Sequence, residues 1–320
     1  MRISGRQFLR LALGGFAVGL LAGCTDARRG GDGADAATPL DGRADTLAIV
    51  GAAVAKTSLH ARTHYRVVTP TATYLLDSAS GGLSSMIDRE GNDWIAFRPE
   101  PWGRYPASAA SAYRGIPNLV FRGPFDGAGH PGHDGVVSDV VGARQIRCHT
   151  PGGPWAWTWT FEPEYARLDV TGVSDTSAYW FLYEGPPAGR YDPALTYYAT
   201  DETTPAFAQF DHLDHYRGRE EVARRDWYYF GRDGVERTLE MIHLTPDEIV
   251  DHYSLLGNDT VGIASADGMI VAGFGRAPGA TPALTEPNSF AIRFTEGDGS
   301  GPEAYARKSA AIRAFVGRVQ

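Results

Sequence analysis

The chain has 320 residues, of which 43% are hydrophobic, 11% aromatic and 21% charged. This length and aromatic content suit one large domain with a sizeable core and exclude a chain that is disordered throughout. The formal net charge of −8 argues against nucleic acid as a partner, because phosphate binding requires a basic surface. No apolar run approaches the roughly 20 residues of a spanning helix, which excludes a polytopic membrane protein.

The first 23 residues are predicted to be an export signal. Three arginines precede an apolar run over residues 11–23, which is too short to span a membrane. The sequence Leu-Ala-Gly-Cys that ends at Cys24 resembles the bacterial lipobox, which implies cleavage before Cys24 and lipidation of this residue. Residues 4–10 also resemble a twin-arginine export signal, with Gly5 in place of its first arginine. Thr25 lacks the aspartate of an inner-membrane retention signal, so we expect an anchor in the outer membrane.

The mature chain is predicted to consist of a flexible tether over residues 24–60 and a single domain over residues 61–320. Gly, Ala and Asp dominate residues 25–45, where large apolar side chains are almost absent. Beyond Tyr65 there is neither a break in composition nor an internal repeat. With Cys24 lipidated, Cys148 has no disulfide partner, so the stability of the domain must come from its core.

Short runs rich in β-branched and aromatic residues, separated by Gly and Asp turns, predict strands throughout the domain. In chain order these strands cover residues 65–68, 72–76, 83–87, 94–97, 155–161, 166–170, 179–183, 227–230, 261–264, 269–274 and 291–294. Two helices are also predicted. One begins at the capping box of residues 245–248 and ends at Gly257, and the other carries an apolar stripe from Pro302 to about Val316. The pattern is typical of an all-β protein with a few short helices.

The segment from Tyr74 to Ile95 contains a strand, the pair Gly81-Gly82, a second strand and an acidic glycine turn over residues 88–92. This order resembles the opening hairpins of the galactose-mutarotase-like supersandwich. The resemblance implies a large β-sandwich and a carbohydrate as the partner. Epimerases, glycoside hydrolases and polysaccharide lyases share this fold, and the epimerases use a histidine acid and a glutamate base. No motif here aligns closely enough to transfer those two residues, so the reaction stays open.

Two histidine pairs share one spacing. His130 and His133 lie in a Gly/Pro loop, and His212 and His215 lie beside aspartates. Imidazoles three residues apart converge on one point from a loop or a helical turn, which suits paired acid/base work or a divalent metal. We favour acid/base work without a cofactor, because the spacing supplies no third metal ligand. The alternative is that these histidines only bond to nearby carbonyl groups.

Glu184 is the first candidate for a catalytic carboxylate. It ends an apolar, aromatic strand at a turn, where partial loss of water raises the pKa of a carboxyl group towards acid/base use. The alternative is a solvated acid at a strand end.

Aromatic and basic residues supply the candidates for substrate binding. Period-two alternation places Trp155, Trp157 and Trp159 on one face of a strand, where they form either sandwich core or a platform for sugar rings. An arginine can hold the carboxylate of a uronate, and a tyrosine next to a histidine then completes a lyase set. The residues that fit these roles are Arg217 and Arg219 with Tyr216 beside His215, and Arg114 and Asn118 are lesser ligand candidates in an ordinary turn-bearing loop.

These observations predict an exported, lipid-anchored enzyme that cleaves a poly- or oligosaccharide, as a hydrolase or a lyase, by His/Glu acid/base catalysis. Cleavage is favoured because an exported, anchored enzyme meets glycans before free sugars. The prediction requires both histidine pairs and Glu184 to line one cleft. The alternatives are a non-catalytic glycan-binding lipoprotein and a sugar epimerase of the mutarotase type.

Overall fold

The computed structural model describes residues 53–98, 114–119, 125, 127–192, 194–201, 206–207, 221–223, 226–245, 247–256, 269–279 and 281–320. All of them belong to one compact unit. Within these ranges no helix has the length and apolar character needed to cross a bilayer.

The described residues form mostly strands, with one α-helix, α1, at Pro302–Val319. The strands are β1 (Ala53–Leu59), β2 (Arg62–Val68), β3 (Thr73–Asp77), β4 (Leu83–Ile87), β5 (Val137–Gly142), β6 (Gln145–His149), β7 (Ala156–Phe161), β8 (Ala166–Gly172), β9 (Phe181–Gly185), β10 (Thr196–Thr200), β11 (Ala206–Phe207), β12 (Glu221–Ala223), β13 (Trp227–Arg232), β14 (Arg237–His243), β15 (Asp251–Leu256), β16 (Met269–Phe274), β17 (Arg276–Ala277), β18 (Thr281–Pro282) and β19 (Ser289–Glu296).

Antiparallel sheets build two layers. The first layer is a nine-stranded sheet in the order β11-β10-β13-β14-β19-β8-β7-β6-β5. The second contains two four-stranded sheets, β1-β2-β3-β4 and β12-β15-β16-β9. Backbone bridges from Ile116 to Leu83 and from Gly115 to Glu184 connect their edge strands β4 and β9 through residues 114–119. The predicted all-β sandwich is confirmed by these sheets.

Aromatic rings fill the space between the layers. Phe181 of β9 stacks on Phe290 of β19 with 4.4 Å between ring centroids, and Tyr183 lies 5.4 Å from Phe230 of β13. Because side chains alternate along a strand, the residues of β9 that neighbour these aromatics in sequence, Leu182 and Glu184, point away from the space between the layers. On β9, Glu184 is therefore directed to the outer face of the second layer.

The predicted C-terminal helix is confirmed as α1, which covers part of the outer face of the nine-stranded sheet. Ile312 and Phe315 pack there in a second hydrophobic cluster with Trp227, Tyr229 and other residues of the sheet. The helix ends at Val319, slightly beyond the predicted end.

The predicted helix from the capping box at 245–248 is wrong. The backbone N–H of Ile249 donates to the Asp247 side chain at 2.7 Å, so this aspartate stabilises a turn. The Thr245 hydroxyl accepts a hydrogen bond from the backbone of Ser289. Residues 251–256 then form β15 between β12 and β16. Pairing with two neighbours outweighs the local helix signal here.

Two smaller expectations also differ from the structure. β1 lies inside the predicted tether of residues 24–60 and pairs along its full length with β2. The turn that joins them, His60-Ala61, has positive φ angles of 49° and 60° without the Gly or Asn that usually marks such hairpins. Residues 94–97 form no strand, since Asp93 only bridges to Ile87 and Ala96 has a φ of 52°. The predicted strand 261–264 lies outside the described residues.

Candidate active site

Glu184 is fixed on a strand at the junction between the two four-stranded sheets. Its backbone exchanges two hydrogen bonds of 3.0 Å with Gly115, and on the other side it pairs with Val271 of β16. The side chain has no exposed surface. The solvated strand-end alternative is therefore wrong, because neighbouring chain covers the outer face of β9 at this position.

The loop of residues 127–133 provides that cover and carries His130. Gly127, Gly129 and Gly132 adopt φ angles of 77° to 89°, which only glycine reaches without strain. The backbone N–H of Gly129 donates to Ser80 at 3.0 Å and so attaches the loop to the β3–β4 connection. The glycines of this Gly/Pro loop are thus required by its backbone conformation.

Two further glycines let the loop lie directly on the second layer. A Cβ atom at Gly115 would stand 2.3 Å from Cδ of Pro131, and one at Gly82 would stand 2.1 Å from the carbonyl oxygen of Gly129. Both distances are far below van der Waals contact. We call Gly82 and Gly115 the glycine seat. The sequence alone does not indicate this role, because the pair Gly81-Gly82 is typical of a turn.

His130 and Glu184 are in direct contact. Nε2 of His130 forms a short hydrogen bond with Oε2 of Glu184, and neither side chain is exposed. Nδ1 of His130 lies 3.0 Å from the carbonyl oxygen of Pro131. A carbonyl oxygen only accepts, so Nδ1 carries a hydrogen in this arrangement. The bond to Glu184 then contains one proton, held either by the carboxyl group or by Nε2.

Burial raises the pKa of Glu184 well above its ordinary value, and the positive charge of Arg276 opposes this shift. The second carboxyl oxygen, Oε1, is buried without a hydrogen-bond partner among the described residues. A carboxylate with one unsatisfied buried oxygen is costly, so both features favour the protonated acid. The pair therefore consists of a neutral acid and an imidazole nitrogen that can accept its proton.

This assignment predicts how stability depends on pH. Unfolding exposes Glu184 and returns its pKa to the ordinary value of 4.5, so between 4.5 and the raised folded pKa only the folded state holds the proton. The contribution of protonated Glu184 to the free energy of unfolding is fully present below pH 4.5. It is lost as the pH rises through this window, with a slope of about 1.4 kcal/mol per pH unit. In urea unfolding at several pH values, the native protein should lose stability relative to Glu184→Gln with about this slope, because titrations common to both proteins cancel in the difference; an equal pH dependence in both proteins would contradict the assignment.

Only one of the two predicted histidine pairs lies in the described structure. The ring of His133 packs edge-on against that of His130 with 5.8 Å between centroids, so His133 supports the loop next to the contact with Glu184. Among the described residues, no group of three or more His, Cys, Asp or Glu side chains is placed to hold a metal ion.

The lesser ligand candidates Arg114 and Asn118 are both buried in the segment that joins the two four-stranded sheets. Nη1 of Arg114 donates to the carbonyl oxygen of Ala96 at 3.4 Å. Burial raises the pKa of the neighbouring Tyr183, and the charge of Arg114 opposes this shift. Both candidates therefore lie in the interior of the protein, and Arg114 directly precedes Gly115, the backbone partner of Glu184.

The tryptophan stripe is core. Trp155, Trp157 and Trp159 are at most 1% exposed, so no indole face is offered to a sugar ring, and their assignment as a binding platform is wrong. The indole N–H groups of Trp157 and Trp159 both donate to the carbonyl oxygen of Gly81 at 3.1 Å. The stripe thus supports the chain next to the glycine seat.

The remaining candidates lie outside the described residues. They are Cys24, His212, His215, Tyr216, Arg217 and Arg219. The lyase set of Arg, His and Tyr and the lipidated cysteine therefore stay predictions from sequence.

No protein-family model matches the sequence, and neither does any curated protein sequence. Among solved structures, the chain is similar to HI1317, with a TM-score of 0.46, 11% identity, and coverage of 78% of this chain and 98% of that one. It is also similar to a putative mutarotase, YeaD, from Salmonella typhimurium (TM-score 0.44, 10% identity, 76% and 94%). A galactose mutarotase-like protein from Lactobacillus casei matches at a TM-score of 0.43, with 7% identity over 76% and 100% of the two chains. Likeness at these identities concerns the fold alone.

Proposed function

We propose that the chain is an exported carbohydrate-active enzyme that transfers a proton to or from its substrate with Glu184 and His130. The observation that carries the proposal is the buried contact between these two side chains. An acid with a raised pKa next to an imidazole of fixed tautomer is an arrangement that can serve general acid/base catalysis.

In the proposed reaction, protonated Glu184 donates its proton to a sugar oxygen, and Nε2 of His130 takes up the proton that the substrate releases. Because the two groups touch, a substrate hydroxyl reaches them by replacing their mutual hydrogen bond. Cleavage of a poly- or oligosaccharide is the first candidate, since an exported, anchored enzyme meets glycans first.

Epimerisation is the second candidate, and the composition of the site favours both it and cleavage by elimination over hydrolysis. Hydrolysis of a glycoside commonly uses two carboxyl groups separated by about 5–9.5 Å. The contact described here joins one carboxyl group to one imidazole, which suits proton transfer at a carbon or at a ring oxygen.

Turnover assays on the purified mature chain test the proposal. Poly- and oligosaccharides are screened for new reducing ends and for the ultraviolet absorbance of a conjugated double bond, and free sugars are followed by NMR for exchange between anomers. Turnover in any of these assays that Glu184→Gln loses supports the proposal. Retention on an immobilised glycan without turnover would favour the non-catalytic alternative, although the buried tryptophans remove the platform expected for it.

We further propose that Cys24 anchors the exported protein by a lipid, with the outer membrane as its site. The lipobox resemblance supports this proposal. The native protein is expected in the membrane fraction and in the detergent phase after labelling with a radioactive fatty acid, whereas Cys24→Ser should be unlabelled and released from the membrane. A labelled or membrane-bound Cys24→Ser protein would contradict the lipid anchor.

A further inference from the structure

A shallow, open cavity of about 470 Å³ lies on the outer face of the nine-stranded sheet, near the end of α1. Its volume lies within the range of small-molecule sites, about 300–1,000 Å³. Hydroxyl, amide and charged side chains from β6, β7, β8 and β19 dominate its lining, notably Gln145, Thr158, Thr160, Arg167, Asp169 and Ser289.

This cavity and Glu184 belong to different layers of the sandwich. On β7, Thr158 and Thr160 alternate with Trp157 and Trp159, whose rings are buried in the core. The threonines therefore face outward from the nine-stranded sheet, whereas Glu184 lies on a strand of the second layer. A ligand in the cavity would not touch the proposed catalytic pair.

The charged residues of the cavity are held in place before any ligand binds. Nε of Arg167 donates to Oδ1 of Asp169 at 2.8 Å, and its two other nitrogens donate to the Ser289 hydroxyl and to the carbonyl oxygen of Val319 at the end of α1. The Ser289 hydroxyl also donates to Oδ1 of Asp169, at 2.5 Å. Side chains fixed in this way lose little entropy when a ligand binds.

Two other polar groups of the cavity are available for hydrogen bonds to a ligand. Thr158 is the cross-strand partner of Asp169, so their side chains are neighbours on the outer face. Within the described part of the chain, neither the Thr158 hydroxyl nor Oδ2 of Asp169 forms a hydrogen bond. The Thr158 hydroxyl can donate and accept a hydrogen bond, whereas the neighbouring Oδ2 of Asp169 can only accept one.

We propose that this cavity binds an uncharged saccharide unit. The charges of Arg167 and Asp169 cancel, so the site attracts neither an anion nor a cation as such. A pair of adjacent sugar hydroxyls can donate to Oδ2 of Asp169 and accept from Thr158, while Pro287 supplies apolar surface for C–H groups. The site would hold a glycan independently of the Glu184–His130 pair.

An array of immobilised neutral and acidic oligosaccharides tests this inference. The native protein should bind at least one neutral oligosaccharide, and Asp169→Asn and Thr158→Val should each weaken that binding about tenfold or more. The matched control is Asp139→Asn, which removes an exposed carboxylate on β5 outside the cavity and should leave the affinity unchanged.

Glu184→Gln separates this inference from the proposed function. Retained binding with lost turnover supports both, and retained binding by a native protein without turnover supports the cavity alone. The inference is overturned if only acidic oligosaccharides bind, if no neutral oligosaccharide binds, if the cavity variants bind like the native protein, or if Glu184→Gln abolishes binding.

Discussion

Replacement of Glu184 by glutamine is expected to lower kcat by about 10²–10⁴-fold, the usual loss when a general acid or base is removed. Glutamine has nearly the same shape, and its amide can still donate to Nε2 of His130, so the buried contact remains. It cannot release or take up a proton, however. The variant should therefore fold like the native protein, which circular dichroism and thermal unfolding can verify, while turnover of the glycan substrate is lost.

Glu286→Gln is the matched control, because the Glu286 carboxylate is exposed and, among the described residues, only the backbone carbonyl of Glu286 forms hydrogen bonds. It should leave kcat and KM unchanged. A folded Glu184→Gln enzyme with native kcat would show that Glu184 transfers no proton in the reaction.

Alanine at Gly115 is expected to lower kcat by about 100-fold, although this residue carries no chemistry. The added methyl group would stand 2.3 Å from Cδ of Pro131, so the loop must move away from β9. His130 adjoins Pro131 and would move with it, and a displacement of about 1 Å in a catalytic group is enough for a loss of this size. Gly115 is thus a positioning residue, and KM should change less than kcat.

Two variants test the steric cause. Gly142→Ala places a methyl group 3.7 Å from Gln145, an ordinary contact, and should have native kcat. Adding Pro131→Ala to Gly115→Ala removes the ring atom that the new methyl group meets, so part of the lost kcat should return. No recovery in the double variant, or a native kcat in Gly115→Ala, would refute the role of the glycine seat.

The sandwich could be predicted because the alternation of buried and outward-facing side chains along a strand is visible within a few consecutive residues. Trp157, Trp159 and Phe161 alternate with polar residues, and the structure buries all three on one face. The helix expected after residue 245 failed for the opposite reason. A capping box measures only local preference, and the pairing of β15 with β16 depends on a strand that follows later in the chain.

The site could be predicted only in part, since its defining contact joins residues 54 positions apart. Glu184 and His130 were each candidates from their immediate surroundings, a strand end and a Gly/Pro loop. The contact itself depends on the glycine seat, which arises only when residues 82, 115 and 131 meet in three dimensions. No local pattern of sequence contains that information.

The central claim is that Glu184 and His130 share one proton inside the folded protein, and NMR titration measures this directly. With ¹³C-labelled glutamate and ¹⁵N-labelled histidine, we expect the carboxyl-carbon signal of Glu184 to report a protonated carboxyl group well above pH 4.5. We also expect Nδ1 of His130 to carry a hydrogen over the whole pH range of the titration. A Glu184 carboxyl group that ionises near pH 4.5, independently of His130, would contradict the claim.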